Sequence, residues 1–339
     1  MDPLTQGVLG AALALSVSNK KTLRTAAVLG ALSGMAPDLD VLIHSSQDPL
    51  LFLEYHRQFT HSLLFIPIGS LLCAVCLYWL FSKRNGLRFS QTWLYCALGY
   101  GTHGVLDACT SYGTQLLWPI SDERIAFNII SVIDPIFTLP LLLLVMFAFW
   151  KCRPKLALVA ISWAFVYLTI GGVQKQRAES VGWQMAKERQ HMPVVLEVKP
   201  TLANLLVWKV VYEFNGLYFV DAVRVGAHVK TYPGESIQKL DVATNLTWLD
   251  NGSQQLIDVE RFSRFSNGFL ALDPHNPLRI IDVRYSMVPN QINALWSIEL
   301  STSADLDAHV EYIVDRESTP ASRDAFTGML LGRDQKVSH

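Results

Sequence analysis

The sequence predicts an α-helical membrane bundle of about four to six membrane segments, followed by a smaller, strand-rich α+β domain that faces water. Three observations lead there. Half of the 339 residues are hydrophobic and only 17% are charged, against about 25% in ordinary soluble domains. The charge is unevenly spread: residues 1–173 hold 20 of the 57 Asp, Glu, Lys and Arg, and residues 174–339 hold the other 37. The apolar runs of the first part are long, whereas those of the second are short, β-branched and aromatic. The chain therefore divides into a membrane domain, 1–173, and a water-facing domain, 174–339. A net charge of −1 argues against a nucleic-acid partner, which would need a clustered basic face, and the apolar content excludes disorder.

Gly7–Val17 and Leu23–Ala36 come first. They fall short of the roughly 20 residues of an unaided crossing, and their Gly and Ala suit close packing inside a bundle. Ser62–Phe81, Ile129–Trp150 and Leu156–Val173 are long enough to span, and Trp93–Cys109 is apolar but carries His103 and Asp107. Lys20, Lys21 and Arg24, then Lys83, Arg84 and Arg88, then Lys151, Arg153 and Lys155 occupy loops without acidic residues. The alternate loops, near 37–60 and 110–128, hold Asp38, Asp40, Asp48, Glu54, Asp122 and Glu123 against Arg57 and Arg124. The positive-inside rule makes the basic loops cytoplasmic, so that six crossings leave the N-terminus and the tail on the outer face. Lys175 and Arg177 pull mildly the other way. Met1-Asp2-Pro3 lacks the basic start of a cleaved signal peptide. All five cysteines, Cys73, Cys76, Cys96, Cys109 and Cys152, lie in the apolar part. Cys73 and Cys76 sit in a continuous apolar helix and read as packing residues, not as a redox or zinc pair.

The tail opens with a polar helical connector, Gln174–Gln190, stopped by Pro193. Strands are expected at Val194–Val198, Leu205–Phe214, Leu217–Val225, Ile280–Met287, Leu295–Leu300 and His309–Val314, with turns at Asn215-Gly216, Pro233-Gly234 and Asn251-Gly252. Asn215-Gly216 between two such runs is a hairpin signal. His191, His228, His275, His309 and His339 are scattered without ligand spacing.

Chemistry concentrates where polar residues interrupt the membrane part. Pro37-Asp38-Leu39-Asp40 ends the second apolar stretch, Tyr55-His56-Arg57-Gln58-Phe59-Thr60-His61 begins the third, and His103 and Asp107 lie near the end of the fourth. His103 and Asp107 are four apart and share one helix face. Such groups are costly to desolvate in a membrane segment and tend to line a functional cavity or pair with one another. The six residues Asp38, Asp40, His56, His61, His103 and Asp107 supply a nitrogen–oxygen shell for a divalent metal, with zinc the default and manganese or iron the alternatives. Six ligands also suffice for two metals about 4 Å apart. Arg57 is the candidate to bind an anionic group, and Glu54 the candidate for proton transfer.

The ordered set Gly34…Pro37-Asp38-Leu39-Asp40, His56-Arg57-Gln58-Phe59-Thr60-His61-Ser62, His103…Asp107…Thr110…Gly113 and Leu117-Trp118-Pro119 resembles the YdjM-type membrane-bound metal-dependent hydrolases over roughly residues 1–140. The opening Met1-Asp2-Pro3-Leu4-Thr5-Gln6-Gly7, Asp134-Pro135 and the long tail resemble that family's larger branch, with a C-terminal soluble domain. The resemblance implies a protein of the bacterial inner membrane and a metal-dependent hydrolase. Many members of the family carry His where this chain has Gln6, a much poorer metal ligand. Asp134 reads equally as a partner of the site or as a helix cap.

Three functions follow from these residues. The first is hydrolysis, by metal-activated water, of a lipid-linked or phosphoester substrate at the outer face of the bilayer. The second is a metal-stapled scaffold whose tail binds a partner. The third is a transporter, disfavoured because the polar groups gather at one end of the spans and do not continue through the bilayer.

Overall fold

A computed structural model describes residues 1–334; His339 lies outside the described residues. The chain forms two compact units. The first comprises Met1–Ile43, Tyr55–Val173 and Leu202–Asn204; the second comprises His44–Glu54, Gln174–Thr201 and the described residues from Leu205 onward.

The first unit is helical. Helix α1, Pro3–Ser16, starts where Pro3 pre-sets the first turn and the Asp2 side chain accepts from Thr5 N at 3.0 Å. Helix α2, Leu23–Met35, runs into a 3₁₀ segment, Ala36–Leu42. The short helix α3, Leu51–Tyr55, belongs to the second unit except for Tyr55; the first unit continues with α4, Ile66–Leu77, and α5, Phe89–Ala108. Helices α6, Pro135–Lys151, and α7, Pro154–Glu188, complete the set, and the last part of α7 belongs to the second unit. Three helical stretches are long and apolar enough to cross a membrane: Leu23–Leu42, Leu63–Asn85 and Pro154–Glu188. Leu64, Leu72, Trp79, Leu80, Leu139, Leu143 and Phe165 are all more than half exposed on these and neighbouring helices. Apolar surface of that extent calls for lipid, since it would be costly in water.

Two segments depart from expectation. The second apolar stretch reaches 20 residues because the 3₁₀ turn extends α2 to Leu42. The run Ile129–Trp150 is helical only from Pro135, since Asp134 caps α6 by accepting from Ile136 N at 3.0 Å and Phe137 N at 3.2 Å. Residues 129–133 are thereby left outside the helix.

Helices α1, α2 and α5 pack through glycine. A Cβ on Gly99 of α5 would collide with the carbonyl oxygen of Gly30 on α2, and one on Gly10 of α1 would collide with that same oxygen. Without side chains at the crossing the three backbones come into contact, as small residues permit in lipid.

The second unit holds two antiparallel four-stranded meanders. One runs β1 Leu196–Pro200, β2 Val207–Phe214, β3 Leu217–Val225 and β4 Val229–Gln238; the other runs β5 Leu270–Asp273, β6 Asn276–Asp282, β7 Trp296–Glu299 and β8 Glu311–Val314. Asn215 and Gly216 form the β2–β3 turn with φ of 51° and 74°, both left-handed as a two-residue hairpin demands. Pro233-Gly234, expected as a turn, instead lies within β4. The pairing with β3 slips there, between Val220 and Ala222, so that Pro233 escapes the ladder at a bulge. Three short helices complete the unit: α8 Val242–Asn245, α9 Gln254–Phe265 and α10 Pro320–Leu330. Val211, Tyr218 and Val220 of the first sheet share a core with Ala271, Ile281, Val283 and Ile292.

Candidate metal centre

The site is built where three chain segments meet inside the first unit. Pro37, which has no N–H, ends α2 and tightens the chain into the 3₁₀ turn that carries Asp38 and Asp40. A second 3₁₀ turn, Phe59–His61, presents His61. His103 and Asp107 project from one face of α5.

Four atoms of these residues converge. His103 Nε2 lies 2.9 Å from His61 Nε2, 3.3 Å from Asp38 Oδ1 and 3.6 Å from Asp107 Oδ2. His61 Nε2 lies 3.5 Å from Asp38 Oδ1 and 3.3 Å from Asp107 Oδ2. A tetrahedron with metal–ligand bonds of about 2.0–2.1 Å has edges of about 3.3 Å, so these separations suit a four-coordinate metal ion.

The outer bonds fix which imidazole nitrogens face inward. His103 Nδ1 donates to Gly34 O at 2.6 Å, and His61 Nδ1 lies 2.9 Å from Thr60 Oγ1 and 3.2 Å from Asp40 Oδ2. A carbonyl only accepts, so His103 Nδ1 carries its proton; with the His61 proton on Nδ1 toward Asp40, the two neutral rings would turn their Nε2 lone pairs inward. Two nitrogen and two carboxylate acceptors then face one another. A single proton relieves one such contact at a time, while one cation satisfies all four.

The remaining neighbours hold this arrangement in place. Asp40 is 2% exposed, and both its oxygens are engaged: His56 Nδ1 lies 2.8 Å from Oδ1, while Arg57 N and Thr60 Oγ1 each donate to Oδ2 at 3.0 Å. Gln6 Nε2 donates to Asp107 Oδ1 at 2.9 Å, and the Met1 amine contacts the same oxygen. Gln6 therefore stands beside a ligand-type carboxylate. Gly104, next to His103, passes against the carbonyl of His61 where any side chain would clash.

The structure thus brings Asp38, His61, His103 and Asp107 into one group able to hold a metal ion, and Asp38, Asp40 and His56 into an adjoining one. Arg57 is turned inward. Its backbone is left-handed at φ 62°, a conformation costly for a residue other than glycine. Its Nε lies 3.1 Å from Asp107 Oδ2, Nη1 donates to Thr110 Oγ1 at 3.0 Å, and its guanidinium carbon sits 4.8 Å from the centre of the Tyr112 ring. At 4% exposure it neutralises Asp107 and has little surface for a substrate. Glu54 belongs to the second unit, where its carboxylate accepts from Arg261 Nε at 2.7 Å. Asp134 caps α6 and also accepts from the Tyr167 hydroxyl at 2.8 Å. Thr60, Thr110 and Gly34 lie in the quoted motifs, and their supporting bonds give those positions a physical role. No sequence signal marks Tyr112 or Arg261.

The sequence model of the YdjM inner membrane protein family matches residues 1–178, more than half of the chain. The chain belongs to that family. Among its relatives, Inner membrane protein YbcI of Escherichia coli (strain K12) is 35% identical over 99 residues, which cover 28% of this chain and 54% of YbcI. Uncharacterized protein YfhP of Bacillus subtilis (strain 168) is 28% identical over 142 residues, 40% of this chain and 42% of that protein. The chain spans about half the length of these curated relatives. No solved structure matches it. This YdjM-family chain is therefore an inner-membrane-type protein with a possible Asp–His metal-binding cluster in its helical unit.

Proposed function

We propose that this YdjM-family protein is a metal-dependent hydrolase, with zinc bound by Asp38, His61, His103 and Asp107. The observation that carries the reading is the convergence of four ligand-type atoms within 4.8 Å of one another, on buried His61, His103 and Asp107 and on the partly exposed Asp38. When bound, the metal supplies Lewis acidity: it acidifies water and polarises an ester or phosphoryl oxygen. Asp40 orients His61, Arg57 and Gln6 orient Asp107, and Gly34 orients His103. Asp38, whose side chain is 19% exposed where the other three are sealed, marks the side from which water and substrate enter. A site at headgroup depth suits a lipid-linked or phosphoester substrate. The basic loops support cytoplasmic placement, with the metal centre and the second unit on the outer side of a multi-pass protein.

Metal content measured by elemental mass spectrometry on detergent-purified protein tests the site. Wild type should carry about one equivalent, and His61→Ala and His103→Ala should lose it, since removing a ligand costs more than the 10–100-fold of an outer-shell change. His228→Ala and His275→Ala should keep it. Equal loss in both sets, or metal-free wild type after zinc supplementation, would remove the assignment. A second reading, a non-catalytic metal-stapled scaffold, is favoured by one observation: four protein ligands already fill a tetrahedral shell. Metal-loaded protein inert toward a panel of phosphoesters and lipids would select it.

Orientation has its own test. A cysteine at Ser121 should react with a membrane-impermeant maleimide in intact cells, and one at Ser90 should not. The reverse pattern would invert the topology.

A further inference from the structure

The chain between α5 and α6 stays inside the helical unit but forms no helix, and part of it closes into a loop with an apolar tip. The stem is a β-bridge in which Thr114 N donates to Ile125 O at 3.0 Å and Ile125 N to Thr114 O at 2.9 Å. Leu117-Trp118-Pro119-Ile120 forms the tip. Ile120 is 79% exposed, Leu117 is 45% exposed, and Pro119 is exposed as well. Polarity then reverses within two residues, at the exposed Asp122 and Glu123.

We propose that this tip is a bilayer anchor: Leu117, Pro119 and Ile120 insert among lipid headgroups, beside the point where the span Leu63–Asn85 enters the membrane. The inference rests on the chain's place in an inner membrane protein family and on that span, not on the metal-site reading.

Position is the first support. Leu63 N, at the start of the span, donates to Leu116 O at 2.9 Å, so the tip begins one residue from a hydrogen bond to the span itself. Leu63 and Leu64 are 41% and 55% exposed, and the apolar surface of the tip continues theirs. Lipid is therefore the fitting cover, since a protein seated on the tip would have to share the bilayer beside α4. Exposure of this kind in water would be a liability. Backbone pairing is the second support. An unpaired N–H is costly wherever water is scarce. Here Trp118 N donates to Gln115 O at 3.2 Å, Ile120 N and Ser121 N donate to Leu117 O at 2.8 and 3.2 Å, and Pro119 has no N–H. The tip can leave water without stranding a donor between Trp118 and Ser121. Irregular backbone is not tolerated against the hydrocarbon core, which sets the depth at the headgroups. Trp118 is the third. Its ring lies 6.0 Å from that of Phe59, which lies 5.3 Å from that of Phe65, so the indole braces the tip against the segment entering the span. Tryptophan favours this interfacial level. The loop also carries a neighbour with it: Gln115 N donates to Arg57 O at 3.0 Å, so anchoring the tip keeps the segment leading to His61 at the membrane surface.

The test reads depth on either side of the polarity reversal. Ile120→Cys and Asp122→Cys, in full-length protein whose native cysteines are replaced, carry a nitrobenzoxadiazole label in nanodiscs of phosphatidylethanolamine and phosphatidylglycerol. The label at 120 should be quenched several-fold more by a lipid with a nitroxide at the top of its acyl chain than by aqueous iodide, and the label at 122 should show the reverse order. Iodide quenching at both positions would overturn the proposal. So would shielding of the label at 120 from both quenchers, which would mean that protein covers the tip. Should the cysteine-free protein fail to fold, wild type is irradiated in the same nanodiscs with a diazirine lipid reactive at headgroup depth. Adducts at 117–120 are expected; adducts on the spans with none in this loop would count against insertion. Both readouts are independent of metal content, so a failed metal site would leave the anchor standing, and a failed anchor would leave the site.

Discussion

On the proposed reading, Gly99→Val protein should reach the membrane but hold no metal. At the α1–α2–α5 crossing a β-carbon on Gly99 has no space, because the carbonyl oxygen of Gly30 and the Ser33 hydroxyl already occupy it. Valine adds two further methyl groups, so α2 and α5 must part. Overpacking a tight core costs about 1–3 kcal/mol, which opposes any coupled equilibrium by roughly fivefold to 150-fold. The site is where that cost becomes visible, because the His103 Nδ1 bond to Gly34 O runs directly between the same two helices. Once they separate, His103 loses the partner that fixes its tautomer and direction. Gly101→Ala is the matched control, since its added carbon meets only Ile66, at 3.8 Å. Elemental analysis of both variants decides the matter. A Gly99→Val protein with wild-type metal content would show that the crossing and the site are independent.

The second large effect lies in the other unit and is read through pH. Lys209 of β2 is 4% exposed, and its Nζ donates to Ser286 Oγ at 2.7 Å and Gln291 O at 3.0 Å. Burial pushes its pKa down to about 7, against the smaller opposing pull of Asp282 and Glu235. In the unfolded chain the amine keeps its proton up to about 10.4. Between those values the unfolded state binds the extra proton, so stability rises with pH; below about 7 both states are protonated and this contribution is flat and least favourable. The rise from pH 7 to 10 should amount to as much as about 4 kcal/mol. Lys209→Met keeps the length of the side chain and removes the titration. Urea unfolding of full-length protein in detergent, followed by tryptophan fluorescence at several pH values, should show the midpoint climbing with pH in wild type and level in the variant. Parallel slopes would mean that Lys209 is hydrated in the folded state.

How much of this was legible beforehand depended on how local the cause was. Composition alone separates the two halves, because lipid and water select side chains differently over any long window. Asn215-Gly216 announced its hairpin since few residue pairs tolerate two left-handed φ values. His103 and Asp107 converge because helical periodicity is enough to align residues four apart. Pro233-Gly234 misled for a local reason too, as a bulge and a turn relieve proline in the same way, and only the partner strand distinguishes them. The inward turn of Arg57 depends on Asp107 and Thr110, fifty or more residues distant. Glu54 had only its nearness to His56 in sequence to recommend it, and its partner Arg261 is 207 positions away. Long-range ion pairs of this kind leave no periodic trace.

The four converging side chains come from stretches spread between Asp38 and Asp107. On the proposed reading, an ion held there belongs to the folded state alone, and each hundredfold excess of free metal over its dissociation constant adds about 2.7 kcal/mol to the helical unit. That amount is comparable to a large share of a typical domain's whole margin. Cellular abundance of this protein would then follow the supply of metal. Scarcity would enlarge the population open to membrane proteases, and newly made chains would stay vulnerable until they captured their ion.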